Sequence, residues 1–139
     1  RAGPRVVAED RPSQLVATAI DREFGDREAE ANHLNNLGIA FASQGEMERA
    51  VRHYEGALAI ARHLGDRQGE GNHSWNLGLL FEESDPARAA ELMAVLVDYE
   101  REIGHPDAEV DARRVAGIRA RAAMRERVMA QVQAGDGAG

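Results

Sequence analysis

Cysteine and lysine are both absent from this 139-residue sequence. Without thiols there can be no disulfide, no thiolate zinc site and no cysteine nucleophile. Aromatic residues make up only 4%, so the core has to be built mainly from Ala, Leu, Val and Ile, a composition that suits close-packed helices. No apolar run approaches the roughly 20 residues that a membrane span needs, and residues 1–9 lack a signal-peptide apolar run. A cytoplasmic location with no membrane contact is expected. Catalytic signatures are missing as well: there is no phosphate-cradling glycine loop, no His-Glu-x-x-His and no nucleophile elbow. The acidic pairs Glu9-Asp10 and Glu82-Glu83 are adjacent in sequence, so on a helix they diverge by about 100° rather than converge on a substrate. Neither enzymatic activity nor a cofactor is expected.

Charge narrows the partner class. The net charge is −7, concentrated in residues 26–106, which carry 15 acids and 7 arginines, whereas residues 107–139 carry 5 acids and 6 arginines. An acidic body lacks the basic face that displaces counterions from nucleic acid. All 17 basic residues are arginine, first a sign of GC-rich codon usage and second of selection for forked donors.

What is present is repetition. Gly25-Asp-Arg-Glu-Ala-Glu-Ala-Asn-His-Leu-Asn-Asn-Leu-Gly38 returns forty residues later as Gly65-Asp-Arg-Gln-Gly-Glu-Gly-Asn-His-Ser-Trp-Asn-Leu-Gly78, identical at nine of fourteen positions. A weaker third copy runs from Gly104 to Gly117. A fixed period of this size marks a stack of helical hairpins, each burying its apolar face against its neighbours. The fold class is therefore all-α, an α-α superhelix of antiparallel helix pairs, with function on a surface rather than in a pocket.

The units divide as follows. Residues 1–11 read as a flexible arm, and an opening on Arg1 rather than Met reads as a piece of a longer protein. Pro12 suits a first helical position, and Leu15, Val16, Ala19, Ile20 and Phe24 recur at helical spacing, so 12–24 reads as the second helix of a repeat ended by Gly25. Repeat one spans 25–64: Asp26 caps a helix with Leu34, Leu37, Gly38 and Phe41 on one face, and after Gly45 a second helix buries Ala50, Tyr54, Ala57, Leu58 and Ala61 before Gly65 ends it. Repeat two, 65–103, follows the same plan with Asp66, Leu77, Gly78, Phe81, Ala89, Met93 and Leu96. Residues 104–134 contain no breaker where the first unit has Gly45 and predict one long terminal helix over about 106–133 without a turn at Met124. Residues 135–139 read as a disordered tail.

The pattern Leu34-x2-Leu37-Gly38-x2-Phe41 followed by Ala50-x3-Tyr54 resembles the tetratricopeptide repeat, over residues 12–121. The forty-residue period is similar to the longer repeats of Pins-type scaffolds, kinesin light chains and bacterial multidomain signalling regulators. HEAT-type repeats share the period but not this pairing. Ser74 in place of Leu34, and Ala116 before Gly117, depart from the pattern.

The five asparagines, Asn32, Asn35, Asn36, Asn72 and Asn76, all fall in the first helices of the two full repeats. With Ile39 they centre roughly 160° from the Leu34-Phe41 stripe, counting about 100° per residue. Asparagine is a mediocre helix former, whereas its amide offers a donor and an acceptor together for clamping peptide backbone. The resemblance implies that this face lines the concave wall and binds a protein or peptide there, with Trp75, Leu79, Glu83 and Arg114 extending it. The competing reading is that Asn36 and Asn76 brace adjacent helices, and that Trp75 fills the space left by Ser74. Some relatives of the family grip a C-terminal carboxylate with lysines; with no lysine here, an extended internal segment or a helix is the expected ligand.

Other readings are set beside this one. His33 and His73 are equivalent but on helices roughly 10 Å apart, too far to share a metal ion. Homo-oligomerisation through the ends is the alternative to groove binding, carried by Leu15, Val16, Met124, Val128, Met129 and Val132. A further alternative is a sensor domain within a larger multidomain regulator.

Overall fold

The computed structural model describes residues 3–137, with side chains described from residue 19 onward apart from Asp21. Five helices follow in order: α1 Gly3–Ser43, α2 Met47–Leu64, α3 Arg67–Phe81, α4 Pro86–Ile103 and α5 Ala108–Gly137. No strand occurs among the described residues. Each helix packs on the next, and α1 also touches α3. The chain thus forms a row of antiparallel helices with α1, α3 and α5 on one side and α2 and α4 on the other.

Three of the four turns are closed by the same device. Gly45, Gly65 and Gly104 have φ of 78°, 69° and 68°, the left-handed region open to glycine. The amide after each glycine bonds back to the last turn of the helix, Glu46 N–H to Phe41 O at 2.9 Å, Asp66 N–H to Ala61 O at 2.9 Å and His105 N–H to Glu100 O at 2.8 Å. This satisfies carbonyls that a helix end leaves unpaired. The α3–α4 turn, one residue shorter in its repeat, lacks a glycine. There Asp85 accepts from Arg88 N–H at 3.2 Å and Pro86 opens α4. Asp66 likewise caps α3 through Gly69 N–H at 3.0 Å.

The core is a chain of three small clusters. Ala31, Ala57 and Ile60 join α1 to α2; Ala50, Tyr54, Leu58 and Leu77 join α1–α2 to α3 with Phe41 beside them; Ala89, Met93, Val97, Val115 and Ile118 join α4 to α5. Glycine permits the tightest contacts. A Cβ on Gly38 would lie 2.6 Å from Tyr54 ring carbons, and one on Gly78 2.6 Å from Met93 Cγ. Leu77 and Met93, both fully enclosed, each contribute on the order of 1.5–3 kcal/mol by leaving water.

At both ends the structure departs from the sequence reading. α1 is continuous through Gly25, so residues 3–11 are helix rather than a loose arm, 12–24 is not a separate folded-back helix, and Asp26 caps nothing. Apolar spacing is the same across Gly25 and Gly65, but Ala29 and Ala31 stand where the second copy has Gly69 and Gly71, which favours continued helix in the first copy, and Gly25 does not adopt the positive φ that ends α2 at Gly65. At the other end α5 runs without a break at Met124, and residues 135–137, expected to be disordered, belong to it. Residues 1, 2, 138 and 139 lie outside the described residues.

Candidate protein-interaction surface

The asparagines divide into two sets once the helices are placed. Asn76 Nδ2 donates to Asn35 Oδ1 at 2.9 Å in a partly buried position, tying α1 to α3. A neutral pair of this kind contributes on the order of 0.5–1.5 kcal/mol. Bracing is thus real, but the α1 member is Asn35 and not Asn36. Asn32, Asn36 and Asn72 are exposed, and none has a hydrogen-bond partner among the described residues. Asn32 and Asn72 share a dent of about 210 Å³ with Glu28, Asp66 and Gln68, which brings equivalent amides of the two repeats to one place. Ile39 and Leu79 are exposed further along the same helices.

The α3–α5 junction is built from Trp75, Glu82 and three arginines. Trp75 is half-buried against the Met93–Val115–Ile118 cluster, and the Arg114 guanidinium stands 5.8 Å from its ring centroid, a favourable cation–π placement. Arg114 donates from Nε and Nη2 to Glu82 Oε1 at 3.2 and 2.8 Å, while Arg121 Nη2 lies 3.7 Å from Glu82 Oε2. Arg125 donates to the carbonyls of Glu83 and Ser84, each at 3.2 Å. Trp75 therefore packs more than it projects, and Arg114 has its fork already engaged. The Glu83 side chain is exposed.

Sequence reasoning missed a large hollow on the surface of the described residues. A cavity of about 790 Å³ opens between the first turn of α2, at Met47 and Val51, and the α3–α4 corner at Leu79, Leu80 and Arg88. Arg88 lies over the Phe81 ring, 4.2 Å from its centroid. The available signal was Met47 and Val51 at i, i+4 ahead of the inward-facing Tyr54.

Two buried titratable groups sit between the helices. His73 is enclosed and neither ring nitrogen has a partner; burial lowers its pKa, with Asp66 pulling weakly the other way. His33, its equivalent, is exposed, and no cluster of three or more metal-binding side chains exists among the described residues. Glu100, also enclosed, is pushed up to about 7 by burial first and then by the facing Asp111 carboxyl, against the pull of His105. Glu100 Oε2 lies 3.2 Å from His105 Nδ1, which accepts from Asp107 N–H at 3.1 Å.

Self-association candidates fall at both ends. Met124, Val128, Met129 and Val132 are all exposed on α5. Leu15 and Val16 lie outside the described side chains.

With this geometry in hand, comparison with protein families matches the chain to the tetratricopeptide repeat over residues 28–96. That stretch is a tetratricopeptide repeat domain. The matched span runs from Glu28 in α1 to Leu96 in α4, leaving residues 3–27 of α1, residues 97–103 of α4 and all of α5 outside. Comparison with curated proteins and with solved structures finds no match. Tetratricopeptide repeats are in general protein–protein interaction modules and typically non-enzymatic scaffolds. The Gly38–Tyr54 contact is the packing that the repeat pattern encodes. No described helix is long and apolar enough to cross a membrane.

Proposed function

We propose that this tetratricopeptide repeat domain is a non-enzymatic interaction module that holds an extended or helical segment of a partner protein against the α1–α3–α5 layer. The observation that carries the reading is the division of the amides. Asn35 and Asn76 are spent on each other, whereas Asn32, Asn36 and Asn72 stand exposed on the same layer without partners among the described residues. Unpaired amides at helical positions that favour other residues are suited to a ligand backbone, which offers N–H and C=O at regular spacing. Ile39 and Leu79 supply apolar contact beside them, with Trp75 and Arg114 as a firm wall rather than as anchors. Glu83 adds negative charge at the far end.

The experiment is selection of linear peptides from a random library on the immobilised chain, followed by affinity measurements on Asn32→Ala and Asn72→Ala. Each substitution is expected to weaken the selected peptides about three- to tenfold, the worth of one hydrogen bond, with helicity unchanged. Selected peptides that bind both variants as well as the parent would remove the amides from the site.

A further inference from the structure

In both complete hairpins a glycine on the first helix seats the second helix. A Cβ at Gly38 would stand 2.6 Å from Tyr54, and one at Gly78 2.6 Å from Met93 Cγ and 3.0 Å from the Ala89 carbonyl. Gly117 is the third member of this series, and nothing lies within 4 Å of its Cβ position. The rest of that face of α5 is bare as well. Val110, the counterpart of Ala31, is 56% exposed and Met124 is 55% exposed, with Arg113, Ala116 and Ala120 exposed between them. By the internal alignment, α5 presents the inward face of a first helix with no second helix upon it.

The opposite end offers the complement. Aligned on Gly25 and Gly65, Ile20 and Phe24 correspond to Ile60 and Leu64 of α2, which close over Ala31. Yet Ile20 is 60% and Phe24 42% exposed, where α1 meets the last residues of α2 and shares a shallow hollow with His63 and Leu64. Charge runs the same way. Residues 113–127 contain six arginines and one glutamate, whereas residues 12–24 contain two acids, Asp21 and Glu23, and one arginine. Of those six arginines, Arg113, Arg119 and Arg127 make no ion pair or hydrogen bond among the described residues.

We propose that α5 is the acceptor for residues 12–24 of a second copy of this chain, seated antiparallel in the register that α2 takes on α1, so that copies join head to tail. The interface continues the one already formed twice inside the molecule. Ile20 and Phe24 of the incoming helix cover Val110, as Ile60 and Leu64 cover Ala31, and its backbone approaches Gly117. The two surfaces differ, so the contact is heterologous, and repetition gives a ring or a filament rather than a closed pair. Opposite net charge on the two helices makes the association weaken with added salt.

Sedimentation velocity on the full chain tests this. The parent is expected to form species larger than a dimer as concentration rises. Gly117→Arg, placed in open space on a helix, blocks the seat, and the double substitution Ile20→Asp with Phe24→Asp spoils the incoming helix; each variant alone should be monomeric with its helicity retained. An equal mixture of the two should give a dimer and nothing larger, because one intact seat meets one intact helix. A parent monomeric at every concentration, variants that assemble like the parent, or a mixture that stays monomeric would each overturn the proposal, as would a closed dimer paired through the Met124–Val132 stripe.

Discussion

Gly38 and Tyr54 are in mutual contact so close that a single methyl group cannot be added between them: the Cβ of an alanine at 38 would fall 2.6 Å from two ring carbons. Tyr54 is enclosed on its other sides by Ala50, Leu58 and Leu77 and cannot withdraw without opening that cluster. Gly38→Ala should therefore destabilise the fold, since overpacking of about 1–3 kcal/mol exceeds the gain of up to about 1 kcal/mol from replacing a helical glycine. Urea denaturation should show a lower midpoint with unchanged slope. A midpoint equal to or above the parent's would mean that the hairpin is looser than described.

Gly25 and Gly65 hold the same place in successive repeats and should respond oppositely to alanine. Gly65 has φ of 69°, where a Cβ costs roughly 1–2 kcal/mol, so Gly65→Ala lowers stability. Gly25 lies within α1 with nothing within 4 Å of its Cβ position, so Gly25→Ala should raise helicity and cost nothing. Circular dichroism on both variants decides it; a loss of helicity in Gly25→Ala would indicate a chain reversal there.

Stability should respond to pH through two enclosed groups with opposite signs. Glu100, pushed up to about 7 from an ordinary value near 4.5, folds more readily protonated. Its contribution is full below about pH 4.5 and is lost as pH rises to about 7. His73, lowered by burial, folds neutral. Its contribution is full above its ordinary value near 6.5 and is lost as pH falls below it. Thermal melts at pH 5 to 8 should show Glu100→Gln removing the alkaline loss, and His73→Leu removing the acid loss. The leucine should also raise the midpoint by relieving two buried unpaired nitrogens, which cost on the order of 1–3 kcal/mol. Identical pH profiles for Glu100→Gln and the parent would place that carboxyl in water.

Much of the fold was legible because the repeat writes the same instruction twice. The Leu-Gly pair followed by an aromatic, and the inward alanines of α2, reappear in α3 and α4, and glycines 45, 65 and 104 sit at chain reversals. The end of the first helix was not legible in the same way. Gly25-Asp26 is spelled like Gly65-Asp66, where the aspartate caps α3 through Gly69, and the apolar spacing across the two is the same; the local difference is that Ala29 and Ala31 stand in place of Gly69 and Gly71. The candidate surface was legible as a face but not as a set of contacts. That Asn76 would meet Asn35 rather than Asn36 depends on the lateral offset between α1 and α3, which helical periodicity within one segment does not contain.

The sequence by itself determined the helical hairpin, its period and the face each helix turns inward, because those follow from residue spacing along a single chain and from where glycine allows reversal. Only the tertiary structure decided which polar groups are spent. Arg114 looks available in sequence and is held by Glu82, His73 looks like His33 and is enclosed, and Gly117 looks like Gly38 and faces open space. The reason is that burial and pairing depend on which other helix arrives at a given face, and that depends on the packing of segments forty residues apart rather than on the segment itself.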